Sequence, residues 1–170
     1  MSIYVVDTSV FRHILWHVYR SVVPEIWDGL EHMLLAGHVI SVKEAYRELE
    51  LQFAQDRACL NWLKQFKRNF HKPTSKEAVL VKDIYSVRNF QNGISQKNIL
   101  TGRPVADAFL VAKASTIGGI VVTREKYKEN AAKIPNLCEY LSVPYIDEEE
   151  FQLILRNQGA NTNRHEVAPG

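Results

Sequence analysis

Residues 3–9, Ile-Tyr-Val-Val-Asp-Thr-Ser, constrain the fold of this chain more than any other stretch. Ile3, Val5 and Val6 are β-branched and closely spaced, which reads as a short buried core strand. Asp7 closes that strand and two hydroxyls follow it. In an open α/β sheet this is where ligands bind, in the crevice beyond the carboxyl ends of the strands. A lone aspartate there means little. Acids at further joints of the same kind would make it a metal site.

Downstream, Phe11, Ile14, Leu15 and Val18 give one apolar helical face within Phe11 to Tyr19. Pro24 opens a second helix, which Gly37 ends. His38 to Ser41 is a second short strand, and Val42 to Phe53 a helix. Residues 57–71 read as a basic amphipathic helix that runs to Pro73. Thr74 or Ser75 caps the next helix, which runs toward Phe90. Gln91 to Gly102 reads as a long loop, and Val105 to Ser115 as a helix of small and aliphatic residues. Ile120 to Thr123 is a third strand, Pro135 to Leu141 a helix, Val143 to Ile146 a last strand and Glu148 to Arg156 a last helix. This alternation predicts a parallel sheet flanked by helices. Residues 1–157 then form one domain, and residues 158–170, with little apolar content, are expected to be a disordered tail.

The chain of 170 residues, 46% hydrophobic, is long enough for one core without staples. No apolar run approaches the roughly 20 residues of a membrane span. The start lacks an export segment, so a cytoplasmic protein with no membrane partner is expected. Cys59 and Cys138 are too few for a disulfide framework and read as buried, reduced thiols. Between Arg57 and Arg103 stand ten basic residues against two acids, Glu77 and Asp83, with aromatics interleaved. Such a stretch can track a phosphate backbone and stack bases; equally it can be a solvated helix face whose aromatics fill the core.

Three more acids stand at structural joints. Glu48 lies one to two helical turns after the second strand, Asp107 near the start of the small-residue helix, and Glu125 two residues after the third strand. Parallel strands bring such joints to one edge, where four carboxylates repel one another unless cations neutralise them. Hard oxygen ligands suit Mg²⁺ or Mn²⁺. Two such ions can activate water and stabilise the leaving oxygen in phosphodiester cleavage. Thr8, Ser9 and Thr123 are placed to hold carboxylates or bound waters behind the ligands. Glu44, four residues before Glu48 on the same helical face, is the alternative second acid.

The pattern Tyr4-Val5-Val6-Asp7-Thr8-Ser9-Val10-Phe11, with Tyr46-Arg47-Glu48-Leu49, Val105-Ala106-Asp107-Ala108 and Val122-Thr123-Arg124-Glu125, resembles the PIN-domain nucleases. The flanks, from Pro24-Glu25-Ile26-Trp27 to Lys133-Ile134-Pro135-Asn136-Leu137-Cys138, are similar to a bacterial and archaeal PIN-like branch labelled only as a domain of unknown function. The resemblance spans roughly residues 3 to 156. It implies a three-layer α/β/α fold with a central, mostly parallel sheet of about four or five short strands. It also implies a Mg²⁺- or Mn²⁺-dependent endoribonuclease, with the VapC-type toxins of toxin–antitoxin pairs as the best-known relatives. Asp7, Glu48, Asp107 and Glu125 become the acidic cluster, RNA the substrate, and a homodimer and an antitoxin protein the expected partners. The fourth acid is commonly aspartate in that family, and glutamate stands here.

Arg103 and Arg124 flank two of the acids and are placed either to contact RNA phosphates or to form salt bridges that offset the carboxylates. His13 and His17 have the spacing of a helical ligand pair but lack a third ligand, so they read as a surface or half-buried pair. The substitution at residue 125 motivates the alternative of a non-catalytic PIN-like module that binds RNA or a protein. An aspartate-nucleophile phosphatase wants a second acid two residues after Asp7, where Ser9 stands.

Overall fold

The computed structural model describes residues 1–91 and 106–166, with side chains of the final helix as far as Asn161. Five short strands form its frame: β1 (Tyr4–Val6), β2 (Val39–Val42), β3 (Phe70–His71), β4 (Ile120–Val122) and β5 (Tyr145–Ile146). They make one all-parallel sheet in the order β3-β2-β1-β4-β5. Among the described residues the helices are α1 (Thr8–His17), α2 (Pro24–Leu35), α3 (Lys43–Gln52), α4 (Arg57–Gln65), α5 (Ser75–Ser86), α6 (Arg88–Gln91), α7 (Asp107–Ile117), α8 (Ile134–Tyr140) and α9 (Glu148–Glu166). The architecture is the three-layer α/β/α arrangement expected. Every residue of β1 and β2 is buried, as a parallel sheet covered on both faces requires.

Chain order runs outward from β1 to β2 and β3, then returns to the other side of β1 for β4 and β5. The reversal places a crevice at the carboxyl ends of β1 and β4. Val6 pairs with Val122, and the Asp7 N–H donates to the Val122 carbonyl at 2.9 Å, so the ladder continues one residue past β1. Asp7 and Thr123 thereby emerge side by side at that crevice. Gly118, at φ +65°, closes α7 in the left-handed conformation and turns the chain into β4.

Three departures from the sequence pattern have physical causes. The expected helix over 57–71 stops at Gln65; a 3-10 turn (Lys67–Asn69) and then β3 follow. Buried Asn69 donates its amide to the carbonyls of Leu34 and Val39, at 2.7 and 3.0 Å, and draws this segment onto the sheet edge. The helix toward Phe90 breaks at extended Val87 and resumes as α6. The final helix runs to Glu166 instead of Arg156, so residues 158–166 are helical where a disordered tail was expected. It is held against α2 by close backbone approach: a Cβ on Gly29 would stand 1.9 Å from the Leu155 carbonyl oxygen, and one on Gly159 2.1 Å from that of Glu25. All but the first residue of the 91–102 loop, Gln91, lies outside the described residues.

Phe66, Phe70 and Phe90 are buried, and Trp62 packs on Phe11, Trp27 and Phe66. The aromatics of the basic middle therefore serve the core. Cys59 and Cys138 are buried free thiols, both pushed up to about 12, first by burial. Among the described residues no helix is long and apolar enough to cross a membrane.

Candidate functional site

The four acids converge through two hydrogen-bonded chains. Buried Asp7 accepts hydrogen bonds on Oδ2 from the hydroxyls of Ser9 and, at 3.1 Å, Thr123. Thr123 Oγ1 in turn accepts from the Glu125 N–H at 3.1 Å, which turns the chain leaving β4 back toward the crevice. The second chain starts next door. Thr8 donates to Glu48 Oε2 at 2.9 Å, while Glu48 Oε1 accepts from the Ala106 N–H at 3.2 Å. Ala106 immediately precedes Asp107, the first residue of α7. Thr8, Ser9 and Thr123 thus do what their positions predicted: they orient carboxylates.

The electrostatics report the same gathering. Burial lifts the Asp107 carboxyl to about 8, and the charges of Asp7, Glu125 and Glu48 push it the same way, with Lys133 opposing. Burial is also the leading cause of the upward shifts of Asp7 and Glu48. The hydroxyl donors oppose both shifts; the Glu125 charge adds to the first and the Asp7 charge to the second. Tyr85 is pushed up to about 12, by burial and then by Asp107. Glu125 is tethered further: Oε2 accepts from the Ile134 N–H at 2.7 Å, and Oε1 lies 3.4 Å from Lys133 Nζ.

Glu48, not Glu44, is the acid of α3 that bonds to the β1 and α7 termini. Glu44 nonetheless keeps a buried Oε2 without a hydrogen-bond partner among the described residues. Among the described residues no three His, Cys, Asp or Glu side chains form a ready-made metal site. By kind the donors fit a hard divalent ion: all are carboxylate oxygens, and Asp107 accepts no hydrogen bond from a described residue.

Arg124 is paired away from the cluster. Its Nε lies 2.9 Å from Oε2 of Glu148, whose Oε1 meets His13 Nδ1 at 2.6 Å and Gln152 Nε2 at 2.8 Å. Arg124 therefore forms a salt bridge, but with Glu148 and not with the four clustered carboxylates it was expected to offset. His13 is half-buried and His17 exposed, with ring centroids 5.2 Å apart and planes tilted by 37°. Arg103 lies outside the described residues.

Sequence reasoning missed Lys133, Glu148 and the buried Lys113–Glu77 pair at 2.7 Å. Glu148 stood in an acidic run, and Lys133 carried only the signal of a cation one residue before the Ile-Pro start of a helix. Lys113 was visible as the one charged residue among Leu110, Val111, Ala112 and Ala114.

Compared with known proteins, residues 4–162 match one family model, described as Domain of unknown function (DUF4411). No curated protein matches the chain significantly.

Proposed function

The chain belongs to the DUF4411 family, and we propose that it is a divalent-metal-dependent endoribonuclease of the PIN type. One observation carries this reading: Asp7, Glu48, Asp107 and Glu125 meet where the order of the sheet reverses, linked through Thr8, Thr123 and the Ala106 N–H. Asp7, Asp107, Glu48 and Glu125 would hold Mg²⁺ or Mn²⁺, which when bound supplies an activated water and charge for the leaving oxygen of an RNA phosphodiester. The chain's own part is orientation. Ser9 and Thr123 fix the Asp7 rotamer, Thr8 fixes that of Glu48, and Lys133 offsets part of the negative charge. Glu125 joins the ligand set by giving up the Ile134 N–H.

Purified protein incubated with single-stranded RNA tests the reading. Cleavage should require Mg²⁺ or Mn²⁺, stop with EDTA, and fall at least a hundredfold in Asp7→Asn and in Asp107→Asn while both variants stay folded. Equal cleavage by variants and wild type rejects it. In the cell this activity fits a cytoplasmic toxin paired with an antitoxin, and a small neighbouring gene for a DNA-binding protein would support that role.

The tethering of Glu125 favours a second reading, a non-catalytic module that binds RNA or a protein partner. RNA binding without a heat of divalent-ion binding in calorimetry would select it.

A further inference from the structure

Lys43, Arg47, Lys67 and Lys72 line one groove of about 240 Å³, in which Glu50 is the one acid. Arg20, Lys113, Arg124 and Lys133 each hold a carboxylate, whereas none of the four groove cations is in an ion pair with a described residue. Lys67 Nζ sits 5.4 Å over the Tyr46 ring centroid, and that ring rests edge-on against Phe70. The contact holds the ammonium in place without neutralising it. Tyr46 and Phe70 are themselves buried, so they floor the groove and leave no ring free for a base to stack on.

The groove opens at the same edge of the sheet as the acidic cluster. Lys43 follows the last residue of β2 and Lys72 the last of β3, as Asp7 follows β1. Neighbouring strands lie about 4.8 Å apart, so β3 stands about 10 Å from β1. On α3, Lys43 and Arg47 share one face, and Glu48 is turned about 100° from Arg47, where it meets Thr8. Four gathered carboxylates repel a polyanion, so a phosphodiester reaches them only where cations nearby hold its chain. The β5 side of the edge does not supply them: its two clefts carry three carboxylates each, and Arg124 is bound to Glu148. The β2–β3 side does.

We propose that the groove of Lys43, Arg47, Lys67 and Lys72 binds the sugar-phosphate backbone of single-stranded RNA, about three nucleotides from the bond presented to the acidic cluster, and that it reads charge and not base. This rests on the RNA-cleaving reading above and adds to it the surface that holds the substrate. The offset follows from about 3.4 Å of rise per phosphate in a stacked strand, laid across the roughly 10 Å between β3 and β1.

The test uses the full chain carrying Asp107→Asn, so that RNA stays intact, and fluorescence anisotropy with a short labelled oligouridine. Arg47→Gln together with Lys72→Gln, both exposed positions, should weaken binding about 25-fold at about 0.1 M salt. The slope of log affinity against log salt should flatten by about 1.4, at about 0.7 per phosphate contact. Lys82→Gln together with Arg156→Gln removes the same charge from exposed positions of α5 and α9 and should leave both values unchanged. Neutral methylphosphonate linkages introduced one at a time should weaken binding at a few consecutive positions. Exchanging uridine for adenosine or cytidine at those positions should not. No RNA binding, equal loss in the two pairs of variants, or base-dependent binding at the sensitive positions overturns the inference. So does stronger displacement of the RNA by oligoglutamate than by unlabelled oligouridine, which would make the groove a seat for an acidic protein segment. Cleavage of the same RNA with Mn²⁺ by protein that keeps Asp107 separates the two claims. There, Arg47→Gln with Lys72→Gln should raise KM and leave kcat in place. Charge-dependent binding without cleavage sinks only the nuclease reading, and cleavage with an unchanged KM sinks only the groove.

Discussion

Replacing Asp107 by asparagine should stabilise the metal-free protein, and only away from acidic pH. In the fold, burial and three neighbouring carboxylates move this group from its ordinary 3.8 to about 8. Near pH 4 and below, it is neutral in both folded and unfolded chains and contributes no penalty. As pH climbs from about 4 to about 8 the unfolded chain gives up the proton and the folded chain keeps it, so stability falls; above about 8 the loss is complete. Each pH unit is about 1.4 kcal/mol, which sets a ceiling of about 4 kcal/mol at pH 7. Asp107 keeps partial contact with water, so screening reduces this to about 2 kcal/mol. For a domain of this size that is about 4–8 °C in Tm.

Thermal unfolding in EDTA at pH 5 and pH 8 checks this directly. The variant should gain most at pH 8 and little at pH 5. Added Mg²⁺ or Mn²⁺ should raise the wild-type Tm by mass action and the variant's far less. Parallel Tm–pH curves for the two proteins would refute the reasoning, because they would mean that Asp107 ionises freely and does not feel the other three acids.

Further substitutions test the scaffold that carries the site. Gly29→Ala and Gly159→Ala each place a methyl about 2 Å from a backbone carbonyl oxygen across the α2–α9 crossing, so each should cost about 1–3 kcal/mol, read as a lowered Tm. Lys113→Met leaves the Glu77 carboxylate buried without its cation, a loss of about 3–5 kcal/mol in denaturant unfolding. Adding Glu77→Gln should restore most of it, since the amide oxygen still accepts from the Thr74 N–H.

The parts of this molecule that could be read from sequence are those set by adjacent residues. A β-branched run ending in Asp7 announces both a central strand and the acid at its exit, and Thr123-Arg124-Glu125 repeats the arrangement at β4. Thr8 and Ser9 were recognisable as carboxylate holders because they follow the acid directly. What escaped depends on partners distant in the chain. Glu148 bridges His13, 135 residues away, and Arg124, and nothing near residue 148 distinguishes it from Glu149 or Glu150. β3 has two residues, too few for any period, and owes its place to Asn69 reaching back to Val39. Near its middle α9 meets α2 through the backbone at Gly159, a contact that no apolar stripe announces.

The same distinction separates the two kinds of acid in the cluster. Asp7 and Asp107 have short side chains, placed by a strand end and a helix start, so the backbone sets most of where their oxygens stand and, for Asp7, the Ser9 and Thr123 hydroxyls set the rest. Glu48 and Glu125 reach the crevice on longer, rotatable stems, and each satisfies an oxygen with a backbone N–H at a helix start, Ala106 and Ile134 respectively. Those donors compete with any cation for the same lone pairs. At 2.7 Å the Ile134 N–H is the stronger competitor of the two by distance, and Lys133 adds a charge beside it. The choice between a nuclease and a binding module therefore turns on one exchange at Glu125, a backbone donor against a divalent ion.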